Sequence, residues 1–203
     1  MVLRNCFVSR TKNGGLLLYD RTNITLTGCN FTDNFRPAIY ANHSSVTISR
    51  NSFFQNYISV QSDDSASLRL DNNTFTDDRY IAVTVYRCPN VYLFNVTVLG
   101  AGRMGLRAEA SKVLAVNSTF GSGLYDVQLQ ANSTGDLVNC TFTRHNLNLL
   151  DPASRINVFW YLGAVVRWWS NGTPVSGADI TVTNGTGDLS AKGTTDSQGR
   201  FAW

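Results

Sequence analysis

Lysine and glutamate are almost missing: three Lys (Lys12, Lys112, Lys192) and one Glu (Glu109) in 203 residues. Both are good formers of surface helix, so their scarcity argues against a helical protein. Charged residues reach only 15% and the net charge is +3. No basic run is present of the kind that nucleic acid or an anionic membrane would require. No stretch approaches the roughly 20 apolar residues of a membrane-spanning helix. The two histidines, His43 and His145, stand in turns far apart and cannot share a metal or a triad. No C-x-x-C pair is found, which removes the usual zinc and thiol-redox motifs. A P-loop, a dinucleotide-binding glycine signature and a Ser-His-Asp spacing are likewise absent.

What fills the chain instead is Asn, Ser and Thr, arranged around a returning phrase: Asn72-Asn73-Thr74-Phe75, Asn95-Val96-Thr97-Val98, Asn117-Ser118-Thr119-Phe120 and Asn139-Cys140-Thr141-Phe142. Looser copies end at Phe7, Phe31 and Phe53. By subtraction the phrase ends are 24, 22, 22, 23, 22 and 22 residues apart. A fixed period of this size marks a solenoid.

Counting back from each Phe, positions −7 and −5 are apolar in nearly every copy (Ile24/Leu26, Val46/Ile48, Leu68/Leu70, Val91/Leu93). Their neighbours at −6 and −4 begin polar, as in Thr25/Thr27 and Thr47/Ser49. Such alternation means a strand with one face inward. A second strand follows each Phe, with Ile58/Val60, Ile81/Val83, Met104/Leu106 and Tyr125/Val127 inward. Ser59/Gln61, Ala82/Thr84, Gly105/Arg107 and Asp126/Gln128 are expected outward. Equivalent residues recurring at one period lie above one another in parallel strands. The expected fold is therefore all-β: a parallel β-helix of six to seven coils over residues 1–152. In this reading Phe stacks on Phe inside the rod. Asn72, Asn95, Asn117 and Asn139 occupy left-handed bends with side chains turned inward.

The N-x-[ST]-F phrase at this period resembles the right-handed parallel β-helix repeats of pectate-lyase-like proteins, most closely the Asn/Thr-rich domains of secreted surface proteins. The resemblance covers about residues 1–150 and implies the fold and its handedness; the same helix serves lyases, hydrolases, adhesins and structural proteins. The remainder, 153–203, breaks the period. Its segments from Asn171 to Val182 and from Thr194 to Phe201 resemble carboxypeptidase-regulatory-like, Ig-type β-sandwich modules, here too short for a whole sandwich of about 100 residues. The chain opens inside a repeat and closes inside a strand, so it is expected to be a piece of a larger protein.

Cys6 and Cys29 hold nearly the same place in adjacent coils, about 4.8 Å apart. Two readings stand: a disulfide, or two small buried side chains in a ladder. Among carboxylates, Asp33 and Asp77 share one repeat position two coils apart, about 9.6 Å, with Asp78 and Arg79 beside Asp77. That separation lies at the upper edge of inverting glycosidases, so these four residues form the catalytic group of an alternative, enzymatic reading; solvated polar turns are the reading preferred here. Asp63 with Asp64, or Asp77 with Asp78, offers part of a calcium shell, which needs six to eight oxygens. No other cofactor is indicated.

Ten Asn-x-Ser/Thr triplets occur, at Asn23, Asn30, Asn42, Asn72, Asn95, Asn117, Asn132, Asn139, Asn171 and Asn184. If the phrase asparagines face inward, the fair glycosylation candidates are Asn42, Asn132, Asn171 and Asn184. The outward row turns apolar in the later coils at Tyr92, Phe94, Leu114, Val116 and Val138. This is a candidate contact patch for the C-terminal segment, a partner protein or glycan rings. The function expected from these features is a non-catalytic extracellular or cell-surface module, structural or adhesive and in contact with glycans. Its partners would be other domains of the same parent chain, glycans or a surface protein. The alternative is a fragment of a polysaccharide lyase or glycoside hydrolase.

Overall fold

A computed structural model of the protein describes residues 1–20, 23–183 and 187–202. Among these, three parallel sheets of eight, six and seven strands wind around one core. Sheet A runs Val2–Arg4, Ile24–Thr27, Ser45–Ser49, Ser67–Asp71, Val91–Phe94, Lys112–Val116, Thr134–Val138 and Arg155–Phe159. Sheet B runs Phe7–Ser9, Asn30–Thr32, Ser52–Phe54, Thr74–Thr76, Thr97–Ala101 and Thr119–Ser122. Sheet C runs Leu16–Tyr19, Pro37–Asn42, Ile58–Asp63, Ile81–Tyr86, Met104–Glu109, Tyr125–Gln130 and Leu147–Leu149. The chain visits A, B and C in turn, so each coil is a triangle and each strand pairs with its equivalents one period away. This is the parallel β-helix that the period requires.

Apolar residues of all three sheets meet inside. Leu26, Ile48, Leu70 and Leu93 of sheet A and Val60, Val83, Leu106 and Val127 of sheet C are fully buried. Phe31, Phe53 and Phe75 of sheet B stack face to face, with centroids 5.0 and 4.5 Å apart. In-register parallel strands impose that spacing, and the rings gain packing beyond their burial. Phe7 does not join them. It is 69% exposed, and Val8 pairs with Phe31 instead. Phe7 takes the outward strand position that Asn30, Ser52 and Thr74 hold in later coils, so the apolar residue in register is Val8.

Most corners of the triangle turn on a left-handed residue; the B–C corner after Thr119–Ser122 does not. Between A and B these are Asn5, Gly28, Arg50, Asn72, Asn95, Asn117 and Asn139; between B and C, Arg10, Asp33, Gln55, Asp77 and Gly100. Between C and A they include Asp20, His43, Asp64, Arg87 and Ala110. The left-handed residue resets the in–out alternation of the strands. Two expectations are corrected. First, Asn72, Asn95, Asn117 and Asn139 adopt the expected backbone (φ 49–52°) but their side chains face solvent. The inward ladder is one residue later, at Cys29, Asn51, Asn73, Val96, Ser118 and Cys140. Second, Ser59, Ala82, Gly105 and Asp126 are buried rather than outward. They follow the bend into sheet C and point into the rod together with the residue after them. At Gly105 a Cβ would stand 2.7 Å from the Asp126 carbonyl oxygen, a place that only glycine fits without movement.

The bends are held by side chains of the following coil. At the A–B corner, the Cys29 amide donates to Asn51 Oδ1 (2.7 Å) and the Asn51 amide to Asn73 Oδ1 (2.9 Å). Asn51 Nδ2 reaches back to the Leu26 carbonyl. At the C–A corner a serine column does the same: Ser44 to Ser65, Ser111 to Ser133 and Ser133 to Ser154, each from amide to hydroxyl. Buried backbone amides at a turn need such partners.

Contacts divide the chain between Phe159 and Trp160. The strand Arg155–Phe159 is the last of sheet A, so the rod runs past the boundary expected at residue 152. The second unit has two antiparallel pairs, Gly163–Val165 with Arg200–Ala202 and Asp179–Thr183 with Leu189–Thr194. Phe201, Ala191 and Thr195 are its buried residues, while Trp160, Trp168 and Trp169 are exposed.

Candidate functional site

The structure brings only part of the predicted catalytic group together. Asp33 lies at a B–C bend and pairs with Arg79 from two coils on and with Arg10 at 3.5 Å. Arg79 also lies over the Phe35 ring. Asp77 is exposed at its own bend, whereas Asp78, one residue later, turns into the rod and is buried. Asp78 is a rung of a ladder: Thr11 and Asn34 amides donate to Asn34 and Asn56 side chains, and the Asn56 amide donates to Asp78 Oδ1 at 3.0 Å. Its Oδ2 has no hydrogen-bond partner. Burial pushes the Asp78 carboxyl up to about 7; Ser59 and Asn56, which favour the anion, offset this only in part. Asp77 and Asp78 therefore face opposite sides of the wall and cannot share one calcium ion. Asp64 is paired with Arg87, which holds its carboxyl below the usual range, and Asp63 points out from sheet C.

Both cysteines of the candidate pair stand in a ladder position. Cys6 and Cys29 are free thiols, and the Cys6 amide donates to Cys29 Sγ at 3.3 Å. Both stand in the inward column at the A–B corner, which explains a spacing that also suits a disulfide. Among the described sequons, Asn132 and Asn171 are exposed, and Asn42 is half-buried with its Oδ1 on His43 Nδ1; Asn184 lies outside the described residues. Tyr92, Phe94, Leu114, Val116 and Val138 form two adjacent columns on the outward face of sheet A, half-buried by one another. Tyr92 and Phe94 lie nearly parallel (10°), Arg69 covers Phe94, and Phe159 extends the column.

The richest surface is the outward face of sheet C, which lies beyond the reach of the Asn-x-Thr-Phe phrase. Its register sets two columns side by side. One reads Tyr40, Gln61, Thr84 and Arg107 and ends at Gln128, which is buried; the other reads Asn42, Asp63, Tyr86, Glu109 and Gln130. Alternation along each strand turns all of them to the same side. Asp63 accepts from the Tyr40 hydroxyl and from Gln61 Nε2, both at 3.0 Å. Glu109 accepts from Arg107 (3.2 Å) and from Gln130 Nε2 (2.6 Å). Burial and the neighbouring Asp63 raise the Tyr40 hydroxyl to about 12, so it stays a donor. Tyr19 meets Tyr40 edge-on at 5.6 Å, and Arg87 lies over Tyr86. The signal was in the sequence: Asp63, Tyr86, Glu109 and Gln130 recur at 23, 23 and 21 residues.

This face presents alternating donors and acceptors with tyrosine rings between them, the chemistry that suits a ligand rich in hydroxyls. Strands are joined by connections of a few residues, as in Asp64–Ala66 or Asn72–Asn73, so no loop walls the face into a cleft. Asp63 and Glu109 stand in one column two coils apart, about 9.6 Å. Each carboxylate is already engaged by two donors. Among the described residues no group of three or more His, Cys, Asp or Glu side chains converges to hold a metal ion.

A protein-family model described as a right handed beta helix region matches residues 1–91. No curated protein matches the chain. Among solved structures, it is similar to a mutant of the periplasmic alginate epimerase AlgG, with a TM-score of 0.44 and 15% identity. The similarity covers 72% of this chain and 47% of that one, so the chain spans about half of that structure's length. Coil geometry and family match together give the fold of residues 1–159: a right-handed parallel β-helix.

Proposed function

We propose that the chain is a non-catalytic extracellular or cell-surface module that contacts a linear polysaccharide through the outward face of sheet C. The observation that carries this reading is the pair of columns from Tyr40 to Gln128 and from Asp63 to Gln130. They repeat polar groups and rings along the rod on a face without walls, which suits an extended polymer better than a small molecule. The Asn/Thr-rich surface and the sequon density support a place outside the cytoplasm. Paired-carboxylate hydrolysis needs one carboxyl held protonated near neutrality. The carboxyl raised to about 7 is Asp78, inside the rod.

The test is affinity electrophoresis of the full chain through gels containing neutral and acidic polysaccharides, with Tyr86→Ala and Glu109→Gln as variants. Tyr86→Ala should weaken binding by about tenfold or more, the equivalent of roughly 1.4 kcal/mol. Binding unchanged in both variants would overturn the assignment of the face. One observation favours the enzymatic alternative: Asp63 and Glu109 stand on strands about 9.6 Å apart, at the upper edge of the carboxylate separation of inverting hydrolases. Release of reducing ends or unsaturated products by the parent chain, lost in Asp63→Asn, would replace the proposal.

A further inference from the structure

The corner between sheets A and B lies opposite sheet C in the triangular coil, and it carries a row of four sequons: Asn72-x-Thr74, Asn95-x-Thr97, Asn117-x-Thr119 and Asn139-x-Thr141. In each, the left-handed bend sends the asparagine outward, the middle residue (Asn73, Val96, Ser118, Cys140) inward, and the threonine outward again. The four asparagines are exposed. Their side-chain bonds run within the row, Asn95 Nδ2 to Asn72 Oδ1 at 3.3 Å and Asn139 Nδ2 to Asn117 Oδ1 at 2.8 Å. A glycan on any of them would lie in solvent and disturb no core contact. Asn42, by contrast, is half-buried at the end of a sheet C strand.

We infer that this corner is an N-glycosylation row, and that the coil rise limits it to one glycan per neighbouring pair. The inference rests on the extracellular part of the reading above. In the transfer, Asn Nδ2 bonds to the anomeric carbon of a lipid-diphosphate-linked oligosaccharide. The bond from that carbon to the diphosphate oxygen breaks, the lipid diphosphate leaves, and the amide gives up one proton to a base. Transfer to a sequon requires the unfolded or newly made chain, and the finished rod then decides which modified chains persist. Neighbouring asparagines stand about 4.8 Å apart, and a sugar ring with its substituents is broader than that. Two adjacent glycans would overlap, whereas glycans on alternate coils clear each other. The row places them on the corner farthest from the proposed polysaccharide face, which they leave bare.

The experiment secretes the full chain from a eukaryotic host with general N-glycosylation. Each occupied site is marked by enzymatic deglycosylation in heavy-oxygen water, and intact mass counts glycans per molecule. Occupancy is expected at Asn72, Asn95, Asn117 and Asn139, with no molecule carrying more than two of the four. Four empty sites would overturn the inference, as would molecules with three or four of them filled. Thr97→Val removes one sequon while keeping Asn95 at its bend, and it should raise occupancy at Asn72 or Asn117 at least twofold. Unchanged occupancy there would overturn the exclusion between neighbours. Polysaccharide binding is scored on the same material. Binding without glycans removes this inference alone, and glycans without binding remove the proposed face alone.

Discussion

Replacing Asp78 by asparagine should stabilise the rod, and by more as the pH rises. Asp78 occupies a rung that Asn34 and Asn56 hold in the preceding coils. Those asparagines direct Nδ2 at the carbonyls of Val8 (3.3 Å) and Phe31 (3.0 Å). Phe53 pairs with Phe31 in the next coil, so Asp78 sets an acceptor oxygen where the ladder supplies a donor, and Oδ2 goes unpartnered. In Asp78→Asn the new side-chain amide would donate to the Phe53 carbonyl, worth about 1 kcal/mol. The larger effect is electrostatic. Burial raises the folded carboxyl from 3.8 to about 7. A raised carboxyl favours the folded state below the unfolded pKa, and that contribution is lost as pH climbs toward the folded pKa. The parent should therefore be less stable than Asp78→Asn by about 2 kcal/mol at pH 4.5 and about 5 kcal/mol at pH 8, of which the buried carboxyl accounts for about 1 and about 4 kcal/mol. Urea titrations of both proteins at pH 4.5, 6 and 8 read this as a widening gap between midpoints at constant m-value. A gap equal at all three pH values would refute the buried-acid reasoning, even if the variant were the more stable protein throughout.

Phe53 lies between Phe31 and Phe75 in the stack, and Phe53→Ala should cost about 3–5 kcal/mol in the same titration; a loss below 1 kcal/mol would mean that the stack adds little. Native protein should show one reactive thiol, Cys6, since Cys29, Cys88 and Cys140 are buried, and four in denaturant. Two reactive thiols in denaturant would reveal a Cys6–Cys29 bridge and overturn the free-thiol ladder. Tyr86→Ala should slow less than the parent in a polysaccharide gel, and Thr97→Val should shift glycan occupancy to its neighbours.

The period made the fold legible because a solenoid repeats its constraints: Phe31, Phe53, Phe75 and Phe120 must superpose, and they do. What could not be read directly was the direction of side chains at corners. Asn72 and Asn73 are chemically identical, and only the left-handed backbone at the first decides that it faces water while the second is buried. In sheet C, Ser59 and Asp126 are hidden because two consecutive residues near the strand start are buried, which simple alternation does not foresee. Phe7 misled for a simpler reason, since it stands one residue before the ladder position, where later coils carry Asn30, Ser52 and Thr74, and Val8 is the residue in register. Asp33, Asp77, Asp78 and Arg79 are close in repeat position, but a corner intervenes, and it separates Asp78 from the others. The sheet C columns were accessible to the same arithmetic that found the phenylalanines. They were missed because glutamine, tyrosine and acidic residues alternate within a column, so no single letter recurs.

The corner ladders also give the rod a polarity. At each corner, the bend amide of one coil is satisfied by a side chain of the coil that follows: Cys29 by Asn51, Asn56 by Asp78, Ser111 by Ser133. Removing a coil from the N-terminal side takes away acceptors of buried side-chain amides: Asn51 Nδ2 loses the Leu26 carbonyl and Asn56 Nδ2 that of Phe31. Removing one from the C-terminal side strands buried amide donors at the corners, about 1–3 kcal/mol each. The two ends of the rod are thus not equivalent. During synthesis each coil emerges before the side chains that complete its corners, so its bend amides should close only when the next coil arrives.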